Sequence, residues 1–569
     1  MINEKYTEWC KKATKDPDVI EELKLISDNE ELINDAFYKD LEFGTGGLRG
    51  VIGAGTNRMN IYTVGKATQG LASYVNSVTN NGSVAIAYDS RIKSDVFARV
   101  AAEIFAGNGI KVYIYKELMP TPMLSFAVRR LKCDAGVVVT ASHNPSKYNG
   151  YKAYGPDGCQ LGLEAADYVL SIMNSVDAFE DVKSLDFEAG IEKGLIEFID
   201  EQIIEEYLNK VNEQRVSPEL DMSILDVIYT PLHGSGNKPV RSILKKIGVK
   251  NVTVVKEQEL PDGNFPTAPY PNPEIKQAFE CALELSKTNK ADLLLATDPD
   301  CDRVGIAVAH NNEFKLLTGN DVGALLLNYI LERKTANGTL PKNSIAVKTI
   351  VTTEICKKIA SNFNCQLIDV LTGFKFIGEQ IGILESNNEE ERYLFGFEES
   401  YGYLAGSYVR DKDAVVASML ICEMAAFYKT QGKTLLTALD EIYQKYGYYF
   451  CTQKSFTCEG QSGMMKINNI MEDLRENIPQ TIADIKVVKF NDYNNSLTLN
   501  TVTGEKNTLT LPKSNVICFF LEDDSSIIVR PSGTEPKIKL YISAVDSTAE
   551  KTEEKKNTLI DAGTKLLGF

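Results

Sequence analysis

Short apolar runs alternate with longer amphipathic stretches along most of the chain, and the alternation repeats. The first instance has apolar runs at 84–88 and 111–115 around a stretch of helical periodicity at 94–107. The second has runs at 225–229 and 251–255 around an amphipathic 239–247, and the third has runs at 344–348 and 366–370 around 353–362. A strand covered on both faces reads as a continuous apolar run, whereas a surface helix shows an apolar stripe every three to four residues. Strand, helix and strand at this spacing make a βαβ unit, with parallel strands and a right-handed crossover. Each unit is followed by another apolar run, at 135–139, 292–296 and 392–395, that leads into a polar loop. Such loops lie beyond the carboxyl ends of strands, where α/β sheets bind ligands.

The pattern therefore predicts an α/β protein of three related tandem domains with mixed, mainly parallel sheets. From 451 onward, strands, helices and turn clusters such as 491–495 mix differently, which predicts a C-terminal α+β domain. The expected divisions are 1–210, 211–320, 321–450 and 451–569. The stretches 196–214 and 435–446 read as amphipathic helices at the joints, and the first forty or so positions read as helices leading into the first domain.

Composition changes this picture in two ways. The 61 Lys and Arg against 78 Asp and Glu leave a net charge of −17, so no global positive field exists to attract a nucleic acid. The 11 cysteines include no C-x-x-C pair and the chain has 3 histidines, so a zinc site of Cys and His is not supported. Free thiols in a reducing cytoplasm are expected instead. No run is long enough to span a membrane and the N-terminal residues lack a signal-peptide core, so the expectation is a cytoplasmic protein with no membrane partner.

Four polar loops and one glycine-rich stretch carry candidate chemistry. Ser142, beside His143 in Thr140-Ala-Ser-His-Asn-Pro145, is placed as a nucleophile or phosphoryl carrier at a strand end, with Lys152 shortly after it. An ordinary turn is the competing reading, because Ser, Asn and Pro favour turns. In Asp298-Pro-Asp300-Cys-Asp302-Arg303, three carboxylates at alternate positions suit a hard cation such as Mg²⁺ or Ca²⁺, against a solvated acidic turn. An EF-hand fails, because Arg303 and Ala309 stand where Gly and Glu are required. Glu398, Glu399 and Ser400, in Gly396-Phe-Glu-Glu-Ser-Tyr-Gly402, suit the hydroxyls of a polyol, or form a surface turn. Arg530-Pro-Ser532-Gly533-Thr534-Glu-Pro-Lys537 suits a phosphate, through guanidinium, hydroxyls and open backbone amides, or is a Pro/Gly turn. The stretch 43–50 holds Arg49 among glycines but matches neither a dinucleotide fingerprint nor a P-loop.

Taken together and in this order, the loops resemble those of the α-D-phosphohexomutase superfamily, over essentially the whole chain. Ser142-His143-Asn144-Pro145 resembles its phosphoserine loop, and Asp298-x-Asp300-x-Asp302-Arg303 its metal loop. Glu398-Glu399-Ser400 resembles its sugar loop, and Arg530-x-Ser532-Gly533-Thr534 its phosphate loop. The resemblance implies four domains around a central cleft. It implies that Ser142 carries a phosphoryl group, and that Ser142 and the aspartates 298, 300 and 302 hold Mg²⁺. His143, Lys152 and Arg49 would surround the reacting group. Glu398, Ser400, Lys375, Arg303, Arg530, Ser532, Gly533, Thr534 and Lys537 would bind the substrate. Pro299, Cys301 and Phe397 depart from a common pattern with glycine at those positions, as in the branch holding many bacterial phosphoglucomutases and the phosphopentomutases.

The implied reaction interconverts glucose 1-phosphate and glucose 6-phosphate, with glucose 1,6-bisphosphate as intermediate and activator. Phosphopentomutase or phosphomannomutase chemistry is the alternative, and a non-catalytic regulator that binds sugar phosphate is a remoter one. A small sugar phosphate is the expected partner, bound by a monomer or homodimer. Either Lys152 or His143 could accept the hydroxyl proton. Lys152 is the first choice, with its pKa expected to be lowered by neighbouring cations.

Overall fold

The computed structural model describes residues 2–44, 46–311, 313–458, 460–532 and 537–569. The chain folds as two compact units. One comprises 1–317, 377–393 and 401–430, and the other 318–376, 394–400 and 431–569.

The first unit begins with three helices, Ile2–Lys12, Pro17–Leu25 and Glu30–Phe37. They close a small core around Trp9, whose ring meets Phe37, Tyr62 and Phe179 edge-on. The first sheet contains β1 (Gly47–Val51), β2 (Ser83–Tyr88), β3 (Lys111–Ile114), β4 (Ala135–Val139), β5 (Tyr148–Tyr154) and β6 (Ile196–Phe198), in the order β1-β5-β4-β2-β3-β6. β2 pairs in parallel with β3 and β4, whereas β5 runs antiparallel to β4 and β1. The second sheet contains β7 (Asp226–Thr230), β8 (Asn251–Val254), β9 (Leu293–Thr297), β10 (Val304–His310) and β11 (Glu313–Leu317), in the order β11-β10-β9-β7-β8. Its βαβ half is parallel, and β9, β10 and β11 form an antiparallel meander. The carboxylate loop is the tight connection between β9 and β10. Residues 196–198, read as the start of a helix, instead form edge strand β6, and the helix begins at Glu201 behind its Asp200 cap.

The other unit holds β12 (Ile345–Thr349), β13 (Gln366–Val370) and most of β14 (Tyr393–Glu398), in the order β13-β12-β14. β15 (Gly402–Ala405) belongs to the first unit, where an isolated bridge joins Gly402 to Arg303. Helix Ala414–Thr430 also packs in the first unit, against Asn237–Lys246 and Glu201–Asn212. It is apolar nearly all round, so burial on every side is its stable solution.

The C-terminal domain is a twisted antiparallel sheet of β16 (Tyr448–Thr457), β17 (Thr481–Ile482), β18 (Ile485–Asp492), β19 (Leu497–Asn500), β20 (Lys506–Thr508), β21 (Ile517–Leu521), β22 (Ser526–Pro531) and β23 (Lys537–Asp546). The order is β16-β23-β22-β21-β18-β19-β20, with β17 on β18. Helices Gly460–Glu476 and Ala549–Leu566 accompany it. Ile350, Val351 and Leu371, just beyond β12 and β13, form one buried cluster with Tyr493, Val516, Cys518, Ile528 and Tyr541 of this domain. Burying each large side chain there is worth about 1.5–3 kcal/mol, so the strand-end loops of the third sheet are fixed against the C-terminal domain.

Candidate active site

The turn after β4 lifts Ser142 into the left-handed region at φ 52°. That conformation is costly for a residue with a Cβ and persists only when its surroundings impose it. Here they do: the Ser142 amide donates to Thr140 Oγ1 at 2.8 Å, and Thr140 Oγ1 donates to Asp89 Oδ2 at 2.6 Å. Arg91 is buried and donates to four carbonyls of the same segment. Its Nη1 reaches the oxygens of Pro145 and Tyr148, each at 3.0 Å, and its Nη2 those of Ser142 and Asn144. Arg91 and Asp89, at the carboxyl end of β2, thus hold the serine loop from below.

Ser142 Oγ donates to Asp298 Oδ2 at 2.8 Å and lies 3.2 Å from His143 Nδ1. The two candidate loops, 156 residues apart, therefore meet. Asp298, Asp300 and Asp302 are buried, and one oxygen from each lies within 4.8 Å of the others. Oδ1 of Asp300 and Oδ1 of Asp302 are buried acceptors without a hydrogen-bond partner. Burial, then Asp300 and Asp302, push the Asp298 carboxyl well above the ordinary carboxylate range. Burial works the same way on Asp300, but Lys152 outweighs it and holds that carboxyl below the range. Crowded hard oxygens, two of them unpartnered, match what a divalent cation requires.

Lys152 on β5 places Nζ 2.8 Å from Asp300 Oδ2 and 3.4 Å from Asp302 Oδ2. Burial alone would lower its pKa, yet the two aspartates raise it above the ordinary lysine value. The expectation of a lowered lysine pKa is thus corrected: the carboxylates dominate the lysine's surroundings and keep it protonated. His143 moves the other way. Burial, then Arg303 and Arg49, depress its pKa well below the usual value, leaving a neutral imidazole beside the serine. Arg49 lies on β1, in register with Gly150 two residues before Lys152. Arg303 donates to Glu274 Oε1 at 2.7 Å, and its Nε lies 3.8 Å from Asp302 Oδ1.

Lys412 joins the same group, a residue that sequence reasoning did not select. Its Nζ lies 3.2 Å from Asp302 Oδ2 and 3.0 Å from Asp411 Oδ1. Gly402 makes room for its stem, since a Cβ there would come within 2.2 Å of Lys412 Cδ. Asp411 also accepts from Tyr154, and Asp413 accepts from Tyr207 while capping helix Ala414–Thr430.

The third candidate loop up to Ser400 and the described residues of the fourth gather in the second unit. Glu398 is buried and accepts from the Gly373 amide at 2.8 Å. That bond ties the loop to the turn before helix Phe374–Ser386, where Lys375 stands half-buried. Gly373, at φ 124°, occupies a conformation that suits glycine. Glu399 accepts from Thr349 Oγ1 at 3.4 Å, and Ser400 is half-buried beside it. Arg530 lies next to the end of β22, and the Ser532 amide donates to the Lys537 carbonyl at 2.8 Å, closing the fourth loop. Gly533 and Thr534 lie outside the described residues. Tyr541 brings the two loops together: burial raises its pKa, the Glu399 and Glu398 carboxylates add to the rise, and a hydrogen bond with Arg530 opposes it.

Family models for phosphoglucomutase/phosphomannomutase match in order: alpha/beta/alpha domain I at 40–180, domain II at 205–311, domain III at 318–446 and the C-terminal domain at 467–559. The chain is 38% identical over 527 residues to a phosphoglucomutase of Staphylococcus saprophyticus, covering 92% of this chain and 94% of that one. It is 39% identical over 531 residues to a phosphoglucomutase of Staphylococcus aureus, covering 92% and 93%. Among solved structures, the open form of the phosphoprotein parafusin, a phosphoglucomutase from Paramecium, superposes with a TM-score of 0.69 at 17% identity, over 93% of this chain and 96% of that one. Domain models along most of the chain and relatives at this identity show that the chain belongs to the phosphoglucomutase/phosphomannomutase family.

Proposed function

We propose that the protein is a phosphoglucomutase, an isomerase that interconverts α-D-glucose 1-phosphate and glucose 6-phosphate by phosphoryl transfer through Ser142. The supporting observation is the Ser142 hydroxyl, held 2.8 Å from a buried carboxylate of the aspartate triad. Asp298, Asp300, Asp302 and the phosphate on Ser142 would hold Mg²⁺. The ion would offset charge on the transferring group.

Phospho-Ser142 gives its phosphoryl group to the free hydroxyl of either monophosphate, so one P–O bond to serine breaks as one to sugar forms. The product is glucose 1,6-bisphosphate, which also activates unphosphorylated enzyme. Ser142 Oγ then takes the other phosphoryl group, leaving the isomeric monophosphate. The sugar hydroxyl must lose its proton in the first transfer. We assign the proton to His143, whose Nδ1 lies 3.2 Å from the serine hydroxyl, and assign Lys152 with Arg49 to orienting the phosphoryl group. Arg303 and Lys412 add positive charge on the same side. Glu398, Ser400 and Lys375 would hold the sugar hydroxyls. Arg530, Ser532 and Lys537, with Gly533 and Thr534 of the same loop, would grip the phosphate that is not reacting. The proposed domain division remains 1–210, 211–320, 321–450 and 451–569.

Competition among glucose, mannose and ribose 1-phosphates, with the matching bisphosphate present, tests the substrate. The expected kcat/KM is highest for glucose, because a site built to hydrogen-bond a sugar hydroxyl is left with unpaired buried polar groups when that hydroxyl is misplaced. Equal or greater turnover of mannose or ribose 1-phosphate would make the enzyme a phosphomannomutase or phosphopentomutase instead.

A further inference from the structure

The connection after β7, 231–236, takes no part in the chemistry above, yet its backbone is strained. Leu232 and His233 are consecutive non-glycine residues at φ 47° and 60°. A strained segment persists only when its surroundings over-determine it, and such segments cluster where geometry serves function. Thr230 Oγ1 accepts from the Leu232 amide at 3.1 Å and donates to Gln258 at 2.6 Å. The His233 amide donates to the Gln258 carbonyl at 2.9 Å. His233 Nδ1 lies 3.1 Å from the Leu260 carbonyl and Nε2 3.0 Å from Thr267 Oγ1. A carbonyl only accepts, so Nδ1 carries a proton and the ring is fixed at both nitrogens.

The constraint delivers the next three residues to the underside of the carboxylate loop. The Ser235 amide and hydroxyl both donate to the Pro299 carbonyl, at 2.8 and 2.9 Å. A Cβ on Gly234 would lie 2.5 Å from Pro299 Cα and 2.7 Å from its carbonyl oxygen. A Cβ on Gly236 would meet Thr297 Oγ1 and Tyr229 Oη at 2.7 Å and Cys301 Sγ at 2.8 Å. Neither glycine has a positive φ, so close approach, not backbone freedom, is what requires them. Pro299 and Cys301 alternate with the three aspartates. Fixing the odd positions therefore fixes where the even ones place their oxygens.

We infer that His233, Gly234, Ser235 and Gly236 are positioning residues that set the spacing of the Asp298, Asp300 and Asp302 carboxylates, and with it the affinity for a divalent cation. The inference rests on reading those aspartates as the metal site. Its test is Mg²⁺ binding by isothermal titration to the full-length, unphosphorylated protein, comparing wild type with Ser235→Ala, Gly234→Ala and Asp300→Asn. Partners behind a metal's ligands typically govern affinity by 10–100-fold, so Gly234→Ala should weaken Mg²⁺ binding by about tenfold or more and Ser235→Ala by several-fold. KM for glucose 1-phosphate at saturating Mg²⁺ should stay at the wild-type value in Ser235→Ala. If Gly234→Ala fails to fold, Ser235→Ala decides. Wild-type affinity in the folded loop variants, with binding lost in Asp300→Asn, overturns the platform and leaves the metal site standing. Undiminished binding in Asp300→Asn overturns the metal site itself, and the platform with it.

Discussion

At the residue scale, the reacting groups are held by side chains that do no chemistry themselves. Arg91 is the clearest case, with a guanidinium spread over four carbonyls of the serine loop and paired with buried Asp89 at 3.4 Å. Arg91→Met keeps the volume but strands Asp89 and frees the loop. Breaking a buried pair this way costs about 3–5 kcal/mol, to be read as a loss of unfolding free energy in urea. Serine misplacement of about 1 Å costs roughly a hundredfold in turnover, to be read in kcat at saturating substrate. Full stability and wild-type kcat in Arg91→Met would refute this clamp. Ser142 and the aspartate triad were legible in the sequence because hydroxyl and carboxylates announce their chemistry at strand ends. Arg91 was not, because its partners are backbone carbonyls with no side-chain signature. Lys412 was hidden for another reason: 410–413 reads as a solvated charge run, but Tyr154, Tyr207 and Tyr408 supply the bonds that let Asp411 and Asp413 stay buried around it.

At the element scale, the strand-end loops depend on how strands and helices approach one another. Phe397 stands just before Glu398, with its ring stacked on Phe395 at 5.5 Å. Its space comes from Gly323 in helix Gly319–Ala336, where an added Cβ would fall 1.9 Å from the Phe397 ring. Gly323→Ala therefore overpacks this junction and should destabilise the protein by about 1–3 kcal/mol. Phe397→Leu in the same chain should recover part of that loss, as a double-mutant cycle in thermal or urea unfolding would show. Additive losses would mean that the two residues do not share the space. The βαβ units were legible because buried parallel strands write continuous apolar runs. The antiparallel turn of β9 into β10 was legible only as two runs flanking a polar loop. Strand β6 was not legible, since three residues at a sheet edge carry too little periodicity to separate them from the helix that follows.

At the scale of the whole molecule, sequence order and packing diverge. The chain writes four domains in succession, but helix Ala414–Thr430 packs with the first unit, and the C-terminal domain shares a core with loops of the third sheet. Such partition is set by long-range contacts that no local pattern records. The net charge of −17 is likewise a poor guide to the site, where Lys152, Lys412, Arg49 and Arg303 lie with the aspartate triad. Local charge, not the total, sets the field that an anionic substrate meets. The central claim is that Ser142 is the phosphoryl carrier. It is tested most directly by locating covalent phosphate, by peptide mass spectrometry, after incubation with Mg²⁺ and glucose 1,6-bisphosphate. The prediction is one phosphoryl group on Ser142 of the wild-type protein, and none at this loop in Ser142→Ala. Phosphate on another residue, or none on Ser142 in an enzyme that still turns over glucose 1-phosphate, would contradict it.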